Sequence, residues 1–175
     1  NGDREDVRLG EYIAKTRYED ASIVIVGCAE DEGVRRGRGR EGAAKAPAEI
    51  RSQLYIMTPF GIHHRVADIG DVPFSDSLEE THTRLTAVVK KIIADGKKAV
   101  VMGGGNDITY ASGRAMSESY GAGNWLCVNA DSHLDVRAAP QCTNETPLRQ
   151  LIEEKLIRGD YLYAIGFQTH FVSPV

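Results

Sequence analysis

Ser22-Ile-Val-Ile-Val-Gly27 is an unbroken β-branched run closed by glycine, and it constrains the fold more than any other segment. A strand with no alternating polar residue is buried on both faces, and such burial belongs to parallel sheets covered by helices. The rest of the chain alternates as that sheet requires. Further strands are expected at 65–69, 99–102, 125–128 and 161–166. Helices are expected at 46–54, 77–95, 108–120 and 146–159. Pro47 falls in a first turn, where its missing N–H costs nothing. The 77–95 helix is the clearest. Ser77 and Glu80 make a capping-box pair, and Leu78, Leu85, Val88, Val89, Ile92 and Ile93 return to one face at helical spacing. Lys90 and Lys91 complement the dipole in the last turns, and Gly96 follows the end. The pattern predicts an α/β fold with a mostly parallel sheet, right-handed crossovers and helices on both faces.

Composition narrows what such a fold can serve. In 175 residues, 42% are hydrophobic and 26% charged, which argues against disorder. The net charge of −4 supplies no cationic face for nucleic acid or a membrane surface. No apolar run approaches the roughly 20 residues of a membrane-spanning helix, and the charged N-terminus is unlike a signal peptide. A cytoplasmic address is expected. Three cysteines are too few, and odd in number, for a disulfide scaffold. Cys127 reads as core, Cys142 as part of a polar loop, and Cys28 as a thiol at a strand end. No repeat or linker interrupts the chain, so residues 1–175 read as a single domain. The end, His170 to Val175, offers no helix to cover the last strand, and the chain is expected to continue beyond it.

In a doubly wound sheet, ligands bind beyond the carboxyl ends of the strands. Four such exits carry unusual chemistry: Gly27 to Glu30, Ile69 to Asp71, Gly103 to Asp107, and Asn129 to Arg137. The sharpest is Asp131-Ser-His133-Leu-Asp135. In an extended segment alternate residues point the same way, which would gather two carboxylates and an imidazole for a divalent ion such as Mn²⁺ or Zn²⁺. Alternatively Asp131 caps a loop, His133 is a satisfied polar residue and Asp135 starts a helix. Gly103-Gly-Gly105 permits close backbone approach in a tight turn presenting Asn106 and Asp107. It lacks the G-x-G-x-x-G spacing of a dinucleotide site, and Asp107 would repel phosphate. Arg35, Arg36, Arg38 and Arg40, interleaved with glycines, read either as a solvated loop or as a binder of anionic groups. Arg137 is the better candidate for clamping a substrate carboxylate. His63, His64, His82 and His170 show no ligand spacing and read as surface or loop residues.

Together these segments resemble the ureohydrolase family of arginase and agmatinase, most closely its formimidoylglutamase branch. Gly33-Val-Arg-Arg-Gly-Arg-Gly-Arg-Glu-Gly-Ala is similar to that branch's GVRRNxGRxGA loop, and Asp68-Ile-Gly-Asp-Val to its DxGDV strand end. Gly103-Gly-Gly-Asn occupies the GGDH or GGGH place, Asn129-Ala-Asp-Ser-His-Leu-Asp-Val-Arg the NxDxHxDxR place, and Asn144-Glu-Thr-Pro-Leu-Arg-Gln resembles GTPFRQ. The motifs keep the family's order over nearly the whole chain.

The resemblance implies an arginase-like, three-layer α/β/α fold of which this chain is the N-terminal part. It also implies a two-manganese centre whose bridging hydroxide attacks an amidine-type carbon. In that branch N-formimidoyl-L-glutamate yields L-glutamate and formamide, a step of histidine degradation. By the same resemblance Asp131, His133 and Asp135 ligate metal, Asp131 and His133 carry catalysis, and Arg137, Arg36, Asn144 and Thr146 bind substrate. Two departures stand out. Asn106 takes the place of the family's first metal-binding His, so one Mn²⁺ should bind more weakly. The family's later D-x-D ligand pair has no counterpart after Asp135. A catalytically silent ureohydrolase-like binding protein, or an arginase- or agmatinase-type activity, is therefore carried as an alternative. A nucleotide-binding module is weaker still. The expected partner is a small amino-acid-derived substrate, with homo-oligomers common in the family.

Overall fold

The apolar run forms β1 (Ile23–Cys28), and its side chains divide between two cores. The structure, a computed structural model, describes residues 7–171. Expectations for the first residues and for 172–175 lie outside the described residues. Val24, Val26 and Cys28 pack against Leu85, Val89 and Ile92 of α4 (Leu78–Ala94) and against Ala111 and Ala115 of α5 (Ile108–Tyr120). Ile25 packs on the opposite side, with Leu9 and Ile13 of α1 (Leu9–Ala14) and with Leu54 at the end of α3 (Ala46–Leu54). Helices therefore cover both faces, as expected for a strand with no polar side. Each fully buried aliphatic side chain in these cores contributes about 2 kcal/mol.

β1 is the middle of three parallel strands, in the order β2 (Val66–Val72), β1, β3 (Lys98–Met102). β4 (Cys127–Ala130) and β5 (Leu162–Ile165) form a second parallel pair, and β3 is not hydrogen-bonded to β4. The layers are α/β/α and every pairing among the described strands is parallel.

Local chemistry accounts for the boundaries. The Ser77 hydroxyl accepts the Glu80 N–H at 3.1 Å and starts α4, while Gly96 closes it at φ +71°. Four expectations shift, the first being β2, which runs to Val72 rather than ending at 69 and so takes in the exit expected at Ile69 to Asp71. The strand expected at 125–128 begins two residues later, because Trp125 is a wedge: its indole N–H donates to Leu156 O at 3.0 Å, and its ring packs with Leu148, Leu151 and Ile157. The last helix, α6 (Pro147–Glu153), stops short of 159 because Lys155 turns left-handed (φ +57°) and the Leu156 N–H reaches back to Leu151 O at 2.9 Å. A short helix, α2 (Glu32–Arg36), forms within the segment expected to be loop.

Candidate functional site

The turn after β3 is built against the exit of β1. A Cβ on Gly104 would lie 2.1 Å from Glu30 O and 2.6 Å from Cys28 O, so only glycine fits there. The Gly105 N–H donates to Glu30 O at 3.0 Å and to Glu30 Oε1 at 3.2 Å. Strand exits far apart in sequence are thus sewn together by backbone.

After Ala130 the chain leaves the extended conformation and bends through 131–133, and Asp135 sits at φ +52°. The alternation argument therefore does not extend past β4. Asp131 Oδ1 accepts the His133 N–H at 2.7 Å and lies 3.1 Å from His133 Nδ1. The backbone hydrogen bond from His133 is the main reason the Asp131 carboxyl is held below its ordinary value. Asp135 is buried, and burial followed by the charge of Asp131 pushes its carboxyl up, against hydrogen bonds from the Asn106 and Asn129 amides. Asn106 Nδ2 also donates to Asn144 O at 3.2 Å, and Asn106 Oδ1 accepts the Thr109 hydroxyl at 3.2 Å.

Asp131, His133, Asp135 and Asn106 are therefore contiguous. Among the described residues, however, no three His, Cys, Asp or Glu side chains close on a common point. The donor chemistry still fits a divalent cation. Two carboxylates raise each other's energy, one of them away from water, and hard oxygens with an imidazole suit an ion such as Mn²⁺.

The residues tied to substrate by resemblance are placed differently. Arg137 pairs with Glu145 and its N–H donates to Glu145 O at 3.0 Å. Arg36 is largely buried between Glu32, at 2.9 Å, and Glu79, so it ties α2 to the start of α4. Thr146 is buried, with its hydroxyl spent inside the 143–146 turn and on Gln150. The Asn144 N–H donates to Gly33 O at 3.1 Å, and its side-chain oxygen is buried without a partner. An open cleft of about 600 Å³ has Arg137, Cys142, Thr146 and Gln150 among its walls; Arg36, Asn144, Asp131, His133 and Asp135 are not among them.

The buried grouping of His82, Asp107 and Glu30 escaped the sequence reading. His82, expected at the surface, is buried on α4, with Nε2 2.7 Å from Asp107 Oδ2. Asp107 is fully buried, and so is Glu30 beside it. Burial first, and then Asp107, push the Glu30 carboxyl up to about 7. The signal for His82 was present: 78, 82, 85, 89 and 92 form one helical stripe. Cys142, expected in a polar loop, is buried, and burial pushes its thiol and that of Cys28 up to about 12.

The family model described as the Arginase family matches residues 21–173. The chain is 36% identical over 135 residues to a formimidoylglutamase of Enterobacter sp. (strain 638), a match covering 77% of this chain and 43% of the relative. The crystal structure of Trypanosoma cruzi formiminoglutamase with Mn²⁺ superposes with a TM-score of 0.89 at 35% identity, over 97% of this chain and 60% of that one. Formimidoylglutamase from Bacillus subtilis, at 23% identity and a TM-score of 0.86, shares the fold. The chain spans less than half the length of the curated relative and about three-fifths of the solved ones.

Proposed function

Because the chain belongs to the arginase family, we propose that it carries part of the active site of a manganese-dependent hydrolase. The reaction is cleavage of a linear amidine C–N bond, with N-formimidoyl-L-glutamate giving L-glutamate and formamide. The contiguity of Asp131, His133, Asp135 and Asn106 beyond β4 and β3 carries the reading. The relatives named for this reaction support it, as does the relative solved with Mn²⁺.

Asp131, His133 and Asp135 would hold the cation, with Asn106 as a neutral oxygen donor once it releases Thr109. A bound divalent cation lowers the pKa of water at the site and makes it a nucleophile at neutral pH. The chain's own contribution is otherwise binding and charge. Burial and the neighbouring Asp131 both disfavour a bare charge on Asp135, and a cation held there would offset that cost. Arg137, freed from Glu145, would meet a substrate carboxylate through two parallel N–H donors.

The test is full-length protein loaded with Mn²⁺ and assayed for formamide release. Turnover of N-formimidoylglutamate is expected. Turnover of arginine or agmatine in its place would reject the branch. His133→Ala is expected to lower bound manganese, and unchanged stoichiometry would reject the ligand set.

A catalytically silent binding protein is the second reading. It is favoured by Asn106, whose amide is already committed on both atoms. No metal uptake and no turnover after loading would select it.

A further inference from the structure

Asp107 is fully buried on the turn that carries Asn106, and among the described residues its Oδ1 meets no N–H or hydroxyl donor, while Oδ2 is taken by His82. A buried carboxylate oxygen left bare costs about 1–3 kcal/mol in general, so a hidden donor is the first explanation to test. Glu30 supplies one. A Cβ built on Gly105 would meet both Asp107 Oδ1, at 2.2 Å, and Glu30 Oε1, at 3.1 Å, which places the two carboxyl groups side by side over that glycine. Two buried carboxylates in contact repel, and one proton between them turns the repulsion into a short hydrogen bond. The N–H groups of Gly105 and Glu32, which donate to the Glu30 oxygens at 3.2 Å and 3.0 Å, favour the ionised form, and burial together with the neighbouring Asp107 outweighs them.

We propose that Glu30 is a positioning residue which, as a neutral acid, donates to Asp107 Oδ1, and that the chain Glu30–Asp107–His82 fixes the 103–107 turn and thereby the direction of Asn106. Three elements meet in this chain: the exit of β1, the start of α5 and the buried face of α4. A displaced Glu30 releases the Gly105 N–H and Asp107 together, and Asn106 lies between those two residues. The effect on a cation rests on the reading of Asn106 as a ligand. The effect on the turn does not.

The experiment compares full-length wild type, Glu30→Leu and Glu30→Gln. Metal-free amide exchange is followed over the peptide containing 103–107, and Mn²⁺ affinity is measured by electron paramagnetic resonance. Gln keeps an acceptor and offers an N–H donor, whereas Leu offers neither. Glu30→Leu is expected to speed exchange and weaken Mn²⁺ binding by about tenfold each, and Glu30→Gln to recover most of both. Unchanged exchange in the Leu variant, or a Gln variant as impaired as Leu, overturns the proposal. Should Glu30→Leu not fold, infrared difference spectra of wild type against Glu30→Gln decide. The carbonyl band of a protonated acid at pH 6 is expected in wild type and lost in the variant, and its absence from wild type overturns the proposal. Altered exchange with unaltered Mn²⁺ affinity rejects the role in orienting Asn106. A wild type that binds no Mn²⁺ at all rejects the metal reading of the site, while exchange still decides the role of Glu30.

Discussion

His82 and Asp107 form an enclosed polar contact between α4 and the start of α5, 2.7 Å long, with side chains 4% and 0% exposed. Removing His82 leaves Asp107 Oδ2 buried with nothing to bond, which is the costly way to disturb such a pair. His82→Leu, which nearly preserves volume, is therefore expected to destabilise the protein by about 3 kcal/mol, read as a lower denaturation midpoint in urea. Glu30 makes a separate expectation about pH. Its carboxyl is pushed from 4.5 up to about 7, first by burial and then by Asp107. Below 4.5 both folded and unfolded chains hold the proton, and between 4.5 and about 7 the folded chain alone does. Stability from this group consequently falls as pH rises through that window and levels off above it. Glu30→Gln has no such proton, so its stability relative to wild type is expected to climb between pH 5 and 7, on the order of 2 kcal/mol by denaturant melts. A flat difference would contradict the shift.

At the scale of elements, helix ends and turn glycines govern what the chain can tolerate. Lys155 holds φ +57°, a conformation that side chains resist and glycine does not. Lys155→Gly is expected to raise stability by about 0.5 kcal/mol in equilibrium unfolding, since the strain relieved exceeds the added chain entropy by little. The same element shows why part of the fold was legible and part was not. The run at 22–27 and the stripe in α4 are local periodicities, and they gave β1 and α4 almost residue by residue. Trp125 moved a strand boundary through a contact with Leu156, thirty-one residues away, which no local pattern encodes. The site divides along the same line. The segments carrying Asp131, His133, Asp135 and Asn106 could be read because they follow strands. The Glu30–Asp107–His82 chain could not, because its members come from three elements. Arg36 and Arg137 were read as substrate binders from guanidinium chemistry and resemblance, and only the fold revealed Glu32, Glu79 and Glu145 as their partners.

At the scale of the molecule, the β4–β5 pair is covered on one side only. Leu126, Val128, Tyr163, Ile165 and Phe167 are between 46% and 59% exposed, and Val128 sits beside Tyr163 in register. Exposed apolar surface of this kind marks a contact surface or an aggregation liability. The 175-residue chain by itself is expected to bind an apolar fluorescent dye and to sediment faster than a monomer, with both effects reduced by Val128→Lys. A monodisperse, dye-silent chain would refute this.

Asp135 combines a left-handed backbone at φ +52° with a short acidic side chain that is 9% exposed. Glycine or asparagine would satisfy the backbone but discard the charge. Glutamate would keep the charge, yet its longer stem does not favour that backbone. If Asp135 serves the proposed hydrolysis, a saturation library selected for that activity is expected to keep only the aspartate codons at position 135, with neutral change accumulating at its neighbours instead.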